Sequence, residues 1–180
     1  MDEATDEQLL EGFRSGDSGA FERLYARYRQ PLYRFLLHMC GSSADADELF
    51  QDLWMRVIHA SDSFRGGSFK AWLFRIARNL QIDLQRRRHL RPVANGSDLD
   101  RIRTQDAGPE RRVQEEDCAR RLLRAIAALP VEQREAFLLK QETDMRLDAI
   151  ATLVNVGRET IKSRLRYAMK HLRTTLEDCL

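Results

Sequence analysis

LDAIATLVNVGRETIKSRLRYAMKHLR, residues Leu147–Arg173, holds two apolar stripes separated by a short polar corner. Leu147, Ile150, Ala151 and Val154 stand at i, i+3, i+4 and i+7, one face of a short helix. Asn155 follows where such a helix would end in a left-handed residue, a conformation Asn tolerates better than most. Val156 is placed to plug the corner, and Gly157 to cap what comes next. A second helix from Arg158 buries Ile161, Leu165, Ala168 and Leu172. Its opposite face carries Arg158, Glu159, Lys162, Ser163, Arg166 and Lys170. Two helices joined by a tight turn, the second basic and polar on its open face, are the layout of a helix-turn-helix. The first turns of the second helix then enter a major groove, where Arg bridges a guanine edge and Glu accepts from a cytosine amine. The competing reading is an ordinary solvated helix in a bundle.

Upstream of this stretch the helical period continues. Leu122, Leu123, Ile126 and Leu129 form a stripe that Pro130 ends, and a helix over about Gln133–Glu142 follows with Phe137, Leu138 and Leu139 inward. Asp144 is placed to cap the helix-turn-helix. From His89 to about Arg112 the apolar period vanishes and Pro92, Gly96, Gly108 and Pro109 appear, which marks a connection between domains. Before it, Thr5 and Gln8 form a capping box for a short first helix. A second helix spans about Gly19–Cys40 and a third about Ala44–Ala60, with Leu49, Leu53, Trp54, Val57 and Ile58 apolar. Ser68 caps a fourth, running to Arg88, whose inward stripe includes Phe69, Trp72, Leu73, Ile76 and Leu80. No strand pattern competes. The expected fold is all-α, with two small helical domains at residues 1–90 and 113–180 joined by a linker over 91–112.

A net charge of only +2 on 180 residues excludes a uniformly basic nucleic-acid coat, so the local distribution decides. Arg65–Arg88 holds seven basic residues against Asp83 alone, and Arg158–Arg173 holds six against Glu159, two stripes suited to two phosphate-facing surfaces. Cys40, Cys118 and Cys179 are far apart without a Cys-x-x-Cys, which points to a reducing compartment and no disulfide framework. The acidic N-terminus, MDEATDEQ, is unlike a signal peptide, and no apolar run approaches membrane-spanning length. Both point to the cytoplasm.

Glu48, Gln51 and Asp52, at i, i+3 and i+4, form one polar helix face. It reads either as a solvated face or as a receiver for a basic protein surface. The segment Phe64–Arg88 mixes Phe64, Phe69, Trp72 and Phe74 with basic residues, a combination suited to unpaired bases that stack on rings. Periodicity assigns Phe69 and Trp72 to the core first, whereas Phe64 and Phe74 lie off the stripe. His38, His59, His89 and His171 are scattered, with no metal-ligand spacing beyond a lone His38-x-Cys40. No phosphate-cradling loop or nucleophile–base pair can be argued from position, so neither an enzyme activity nor a cofactor is expected.

Five collinear stretches carry a resemblance. FERLYARYRQPLYRFL, DADELFQDLWMRV, FRGGSFKAWLFRIARNLQIDLQRRR, LPVEQREAFLL and IATLVNVGRETIKSRLRYAMKHLR together resemble a bacterial RNA polymerase sigma factor of the extracytoplasmic-function (ECF) group. The resemblance implies a promoter-specificity subunit without catalysis of its own. Its partners would be core polymerase and promoter DNA, with an anti-sigma factor admitted as a third, and no small-molecule substrate or membrane insertion. It implies that Glu48, Gln51 and Asp52 dock on a coiled coil of the largest polymerase subunit. Arg65, Trp72, Arg75 and Asn79 fall in the element that opens and reads the −10 region. Arg158, Glu159, Thr160, Lys162, Ser163, Arg164 and Arg166 fall in the helix that reads the −35 element. The chain departs from the family's usual residues at Ala149, Asn155 and Glu159, which bears on the −35 sequence read rather than on the fold. A stand-alone helix-turn-helix regulator would leave Phe64–Arg88 unexplained, and a protein-interaction adaptor would leave both basic stripes unexplained.

Overall fold

The computed structural model describes residues 4–90 and 109–179, and every regular element among them is helical. The elements are α1 (Asp6–Arg14), α2 (Ser18–Cys40), α3 (Ser43–Ala60), a 3-10 turn at Ser61–Ser63, α4 (Phe69–Leu90), α5 (Pro109–Ala128), α6 (Val131–Thr143), α7 (Leu147–Val154), α8 (Arg158–Thr175) and a second 3-10 turn at Glu177–Cys179. Helix α5 begins at Pro109, earlier than the apolar pattern indicates. Proline suits a first helical position because it has no N–H to leave unpaired there. The remainder of the expected linker, residues 91–108, lies outside the described residues. Two compact units divide the chain, Met1–Leu36 with Ala44–Val93, and Ala94–Leu180 with Leu37–Ser43.

The first unit packs α1 to α4 around Leu10, Leu24, Phe35, Leu49, Leu53, Phe69 and Leu73, all fully buried. Helix α1 opens on the capping box foreseen at Thr5 and Gln8, each bonding the other's backbone N–H. Asp6 of α1 then bonds Arg27 and Tyr28 of α2. Burial, reinforced by the bond to the Asp6 carboxylate and by its charge, pushes the Tyr28 phenol well above its ordinary value. Phe74 belongs to this core. Its ring meets Phe35 of α2 edge-on at 5.6 Å and is wholly buried, so it is not available to stack on bases. Helix α4 buries more than one face, and a single-stripe count therefore misplaces Phe74. Ile58, by contrast, leaves the expected α3 stripe and is 40% exposed. Arg88 of the basic run is ion-paired with Asp45 of α3.

In the second unit α8 packs against α5, α6 and α7, burying Ile161, Ala168 and Leu172. Asn155 ends α7 at φ 59° and Gly157 caps α8 with extended backbone, as the sequence pattern foretells. Asp144 takes a different role from the one expected. It ends α6 in the left-handed region, at φ 52°, while Arg146 stands at the N-cap of α7 without a side-chain cap bond. Short polar residues tolerate that region, and Lys140 Nζ secures the bend by donating to Asp144 Oδ1 at 3.2 Å and to the Met145 carbonyl at 3.1 Å.

The expectation of unpaired cysteines is also corrected, because Cys118 and Cys179 form a disulfide. They lie 61 residues apart in sequence but 5.8 Å apart between Cα atoms. Packing of α8 on α5, followed by the turn at Glu177–Cys179, creates that proximity, and linear spacing carries no trace of it. Cys40 is a free thiol.

Candidate nucleic-acid and polymerase interfaces

Three separate faces present the residues singled out by sequence. On α3, Glu48, Gln51 and Asp52 are all exposed on one side, opposite the buried Leu49 and Leu53. Glu48 and Asp52 make no ion pair among the described residues. Met55, three residues beyond Asp52, is 54% exposed and extends this face with an apolar contact, joined by Ile58. The sequence pattern hides Met55, because an isolated apolar residue on a polar face reads as noise. The combination of acceptors with two apolar side chains fits a protein partner that is basic but not uniformly charged.

The second face is the loop after α3 together with α4. Arg65 is exposed beside Gly66 and Gly67, whose φ values of 96° and 88° require the absence of a side chain. Ser68 Oγ accepts the Ala71 N–H at 3.2 Å and so caps α4, as its position indicates. Trp72, Arg75 and Asn79, at i, i+3 and i+7, share one side of the helix. Arg75 and Asn79 are exposed. Trp72 is half-buried, its ring 5.5 Å from Phe64 and 5.7 Å from Phe69. Two rings therefore brace the indole while leaving part of it open. This arrangement joins a cation, an amide and an aromatic surface, the elements that hold unpaired nucleotides. Two residues absent from the sequence reading support the loop from α1. Arg14 donates to backbone carbonyls of Ser61 and Phe64, and Glu7 accepts the Phe69 N–H. Their partners are backbone atoms, which no residue pattern reveals.

The third face is α8. Arg158, Glu159, Thr160, Lys162 and Arg166 are exposed, and Ser163 and Arg164 are half-buried. Arg158 Nε lies 3.2 Å from Asp148 Oδ1 of α7, and its Nη1 lies 3.7 Å from Glu159 Oε1. Lys162 Nζ approaches the other Glu159 oxygen at 3.6 Å, so Glu159 sits between two cations. Ser163 Oγ is engaged in donating to the Thr160 carbonyl at 2.9 Å. The Arg166 guanidinium lies over the Tyr167 ring at 5.1 Å. Tyr167 is 53% exposed and adds an aromatic to this face that periodicity alone does not single out.

Residues 24–91 match the family Sigma-70 region 2, and residues 119–172 match Sigma-70, region 4. The chain is 30% identical over 166 residues to the ECF RNA polymerase sigma factor SigE of Mycolicibacterium smegmatis, across 90% of this chain and 65% of that protein. It is 30% identical over 177 residues to the ECF RNA polymerase sigma factor SigL of Mycobacterium tuberculosis, across 94% of this chain and 96% of that one. The sigma factor RpoE of Bartonella quintana, solved with the anti-sigma factor NepR, shares the fold. Its TM-score is 0.74 at 24% identity, over 87% of this chain and 96% of that chain. With region 2 and region 4 in order, and a relative matched at 30% identity over nearly its whole length, the chain belongs to the extracytoplasmic-function sigma factors, a family of promoter-specificity subunits of RNA polymerase.

Proposed function

We propose that this chain brings core RNA polymerase to promoters by dividing the work among its three faces. Residues 1–90 dock on core and open the −10 region, residues 113–180 read the −35 element, and residues 91–112 connect them. Glu48, Gln51 and Asp52, extended by Met55, receive the coiled coil of the largest polymerase subunit. Arg65, Trp72, Arg75 and Asn79 capture unpaired −10 bases. Arg158, Glu159, Thr160, Lys162, Ser163, Arg164 and Arg166 lie along the −35 major groove, the first of them at base edges. The observation that carries this reading is the exposed cation–indole–amide face on α4, occurring on the same chain as a recognition helix. A duplex-binding regulator has no use for it.

Extruding a base costs a few kcal/mol per unstacked nucleotide, which the polymerase complex must offset. The chain alone therefore binds promoter DNA poorly and acts within the holoenzyme, without catalysis or a cofactor of its own. Its place of work is then the cytoplasm, where the polymerase it serves acts; among the described residues no helix is long and apolar enough to cross a membrane. An anti-sigma factor is a fitting third partner, since the Bartonella quintana relative was solved with one. A gel shift on a promoter duplex, with and without core polymerase, tests the whole proposal. A specific shift is expected only with core. Tight, sequence-specific binding by the chain alone would favour a stand-alone regulator instead.

A further inference from the structure

Helix α1 lies upstream of the region 2 match, which begins at residue 24, and contributes no residue of its own to the three faces. Its side chains nevertheless hold both ends of the segment that presents Arg65 and Trp72. At the upstream end Arg14, with only 22% of its side chain exposed, donates from Nε at 3.0 Å and from Nη2 to the Ser61 carbonyl. The same Nη2 donates to the Phe64 carbonyl at 2.9 Å, and Nη1 to Glu11 at 3.2 Å. At the downstream end Glu7 Oε1 accepts the N–H of Phe69, the first residue of α4, at 3.0 Å. That N–H has no partner within its own helix, and a carboxylate there also meets the positive end of the helix dipole. Between the two attachments lie Gly66 and Gly67, both left-handed, which restrict the chain little by themselves.

We infer that α1 is a clamp on the −10 segment, with Arg14 and Glu7 as positioning residues for Arg65 and Trp72. The inference rests on the assignment of that segment to −10 DNA made above. The route of action is short. Arg14 fixes the Phe64 carbonyl, the Phe64 ring lies 5.5 Å from the Trp72 indole, and Glu7 fixes the first turn of the helix that carries Trp72. A segment ordered in advance spares the complex that ordering cost when bases arrive. The guanidinium fork is essential, because a lysine ammonium is a single point and cannot span carbonyls three residues apart in the same way.

The test uses holoenzyme reconstituted with full-length variants. Opening is read by permanganate reactivity of −10 thymines, core affinity by fluorescence titration. Arg14→Ala and Arg14→Lys should each lower the open fraction by about tenfold, as expected for charged hydrogen bonds lost. Core affinity should hold within about twofold, as for distant sites. Glu7→Gln should act in the same direction and less strongly. Should Arg14→Ala fail to fold, Arg14→Lys and Glu7→Gln carry the measurement. Trp72→Ala and Asn79→Ala serve as references. If these two leave opening intact, the −10 assignment falls and the clamp with it. If they impair opening while the Arg14 variants do not, the clamp alone is wrong. Full opening with Arg14→Lys, or an equal loss of core affinity and opening with Arg14→Ala, also overturns it.

Discussion

Replacing Asp148 by alanine should tighten promoter binding, although Asp148 lies on α7 and not on the recognition helix. Its carboxylate holds the Arg158 guanidinium at 3.2 Å, and the two side chains are 73% and 56% exposed. A pair this open to water is worth at most about 1 kcal/mol. A guanine edge gripped by both guanidinium donors discriminates by about 1–3 kcal/mol. Arg158 can therefore leave Asp148 for DNA, at a cost that Asp148→Ala would remove. The expected gain is up to about fivefold in affinity. Arg158→Ala should lose roughly 5- to 150-fold at one base position. Fluorescently labelled promoters carrying single −35 substitutions, titrated with holoenzyme at fixed salt, measure both. The double variant is decisive, because a gain that operates by releasing Arg158 disappears once Arg158 is gone. If Asp148→Ala helps equally in both backgrounds, it acts through phosphate repulsion. If Arg158→Ala weakens every −35 variant by one factor, Arg158 does not read bases.

Charge reversal at Glu48 and Asp52 should lower affinity for core polymerase, and more strongly at low salt, where screening is weaker; a salt series of core titrations checks this, and unchanged affinity removes the docking assignment. Cys118→Ser, or reduction, should destabilise the second domain by up to about 4 kcal/mol, because the disulfide closes a span of 61 residues and loop-closure entropy grows with that span. Denaturant unfolding with and without reductant measures the difference, and coincident midpoints would contradict it. Tyr28, whose phenol is raised by burial and by Asp6, contributes stability that is present below the unfolded tyrosine value of 10.0 and lost as pH climbs toward the folded one. Wild type should thus lose stability more steeply than Tyr28→Phe above about pH 10, and parallel pH profiles would refute the assignment.

The helix-turn-helix was legible because its signals are local. Two stripes of period 3.6 flank Asn155, and the backbone there does turn left-handed. The capping box at Thr5 and Gln8 was legible for the same reason. Failures arose where the determining partner is distant. Phe74 reads as surplus to its own helix until Phe35 of α2 is brought against it. Arg14 and Glu7 look like surface charges, since the atoms they bind belong to the backbone 47 to 62 residues away. Asp144 has the composition of an N-cap, and only its backbone angle reveals that it closes the preceding helix. For the residues proposed to face DNA, sequence supplied the residue types and the family resemblance, but neither the side of α4 that Trp72, Arg75 and Asn79 share nor the Asp148 partner that competes for Arg158.

The bond between Cys118 and Cys179 makes a covalent ring of nearly the same extent as the region 4 match, residues 119–172. Within a ring there are no ends. Unwinding that starts at the last turn of α8 cannot run freely along the chain, because Cys179 is anchored to α5. A single peptide-bond cut anywhere between the two cysteines leaves one covalent piece. Nicked outside α8, such a molecule would keep that helix whole and tethered to the rest of its domain, and it would separate into two fragments only in the presence of a thiol.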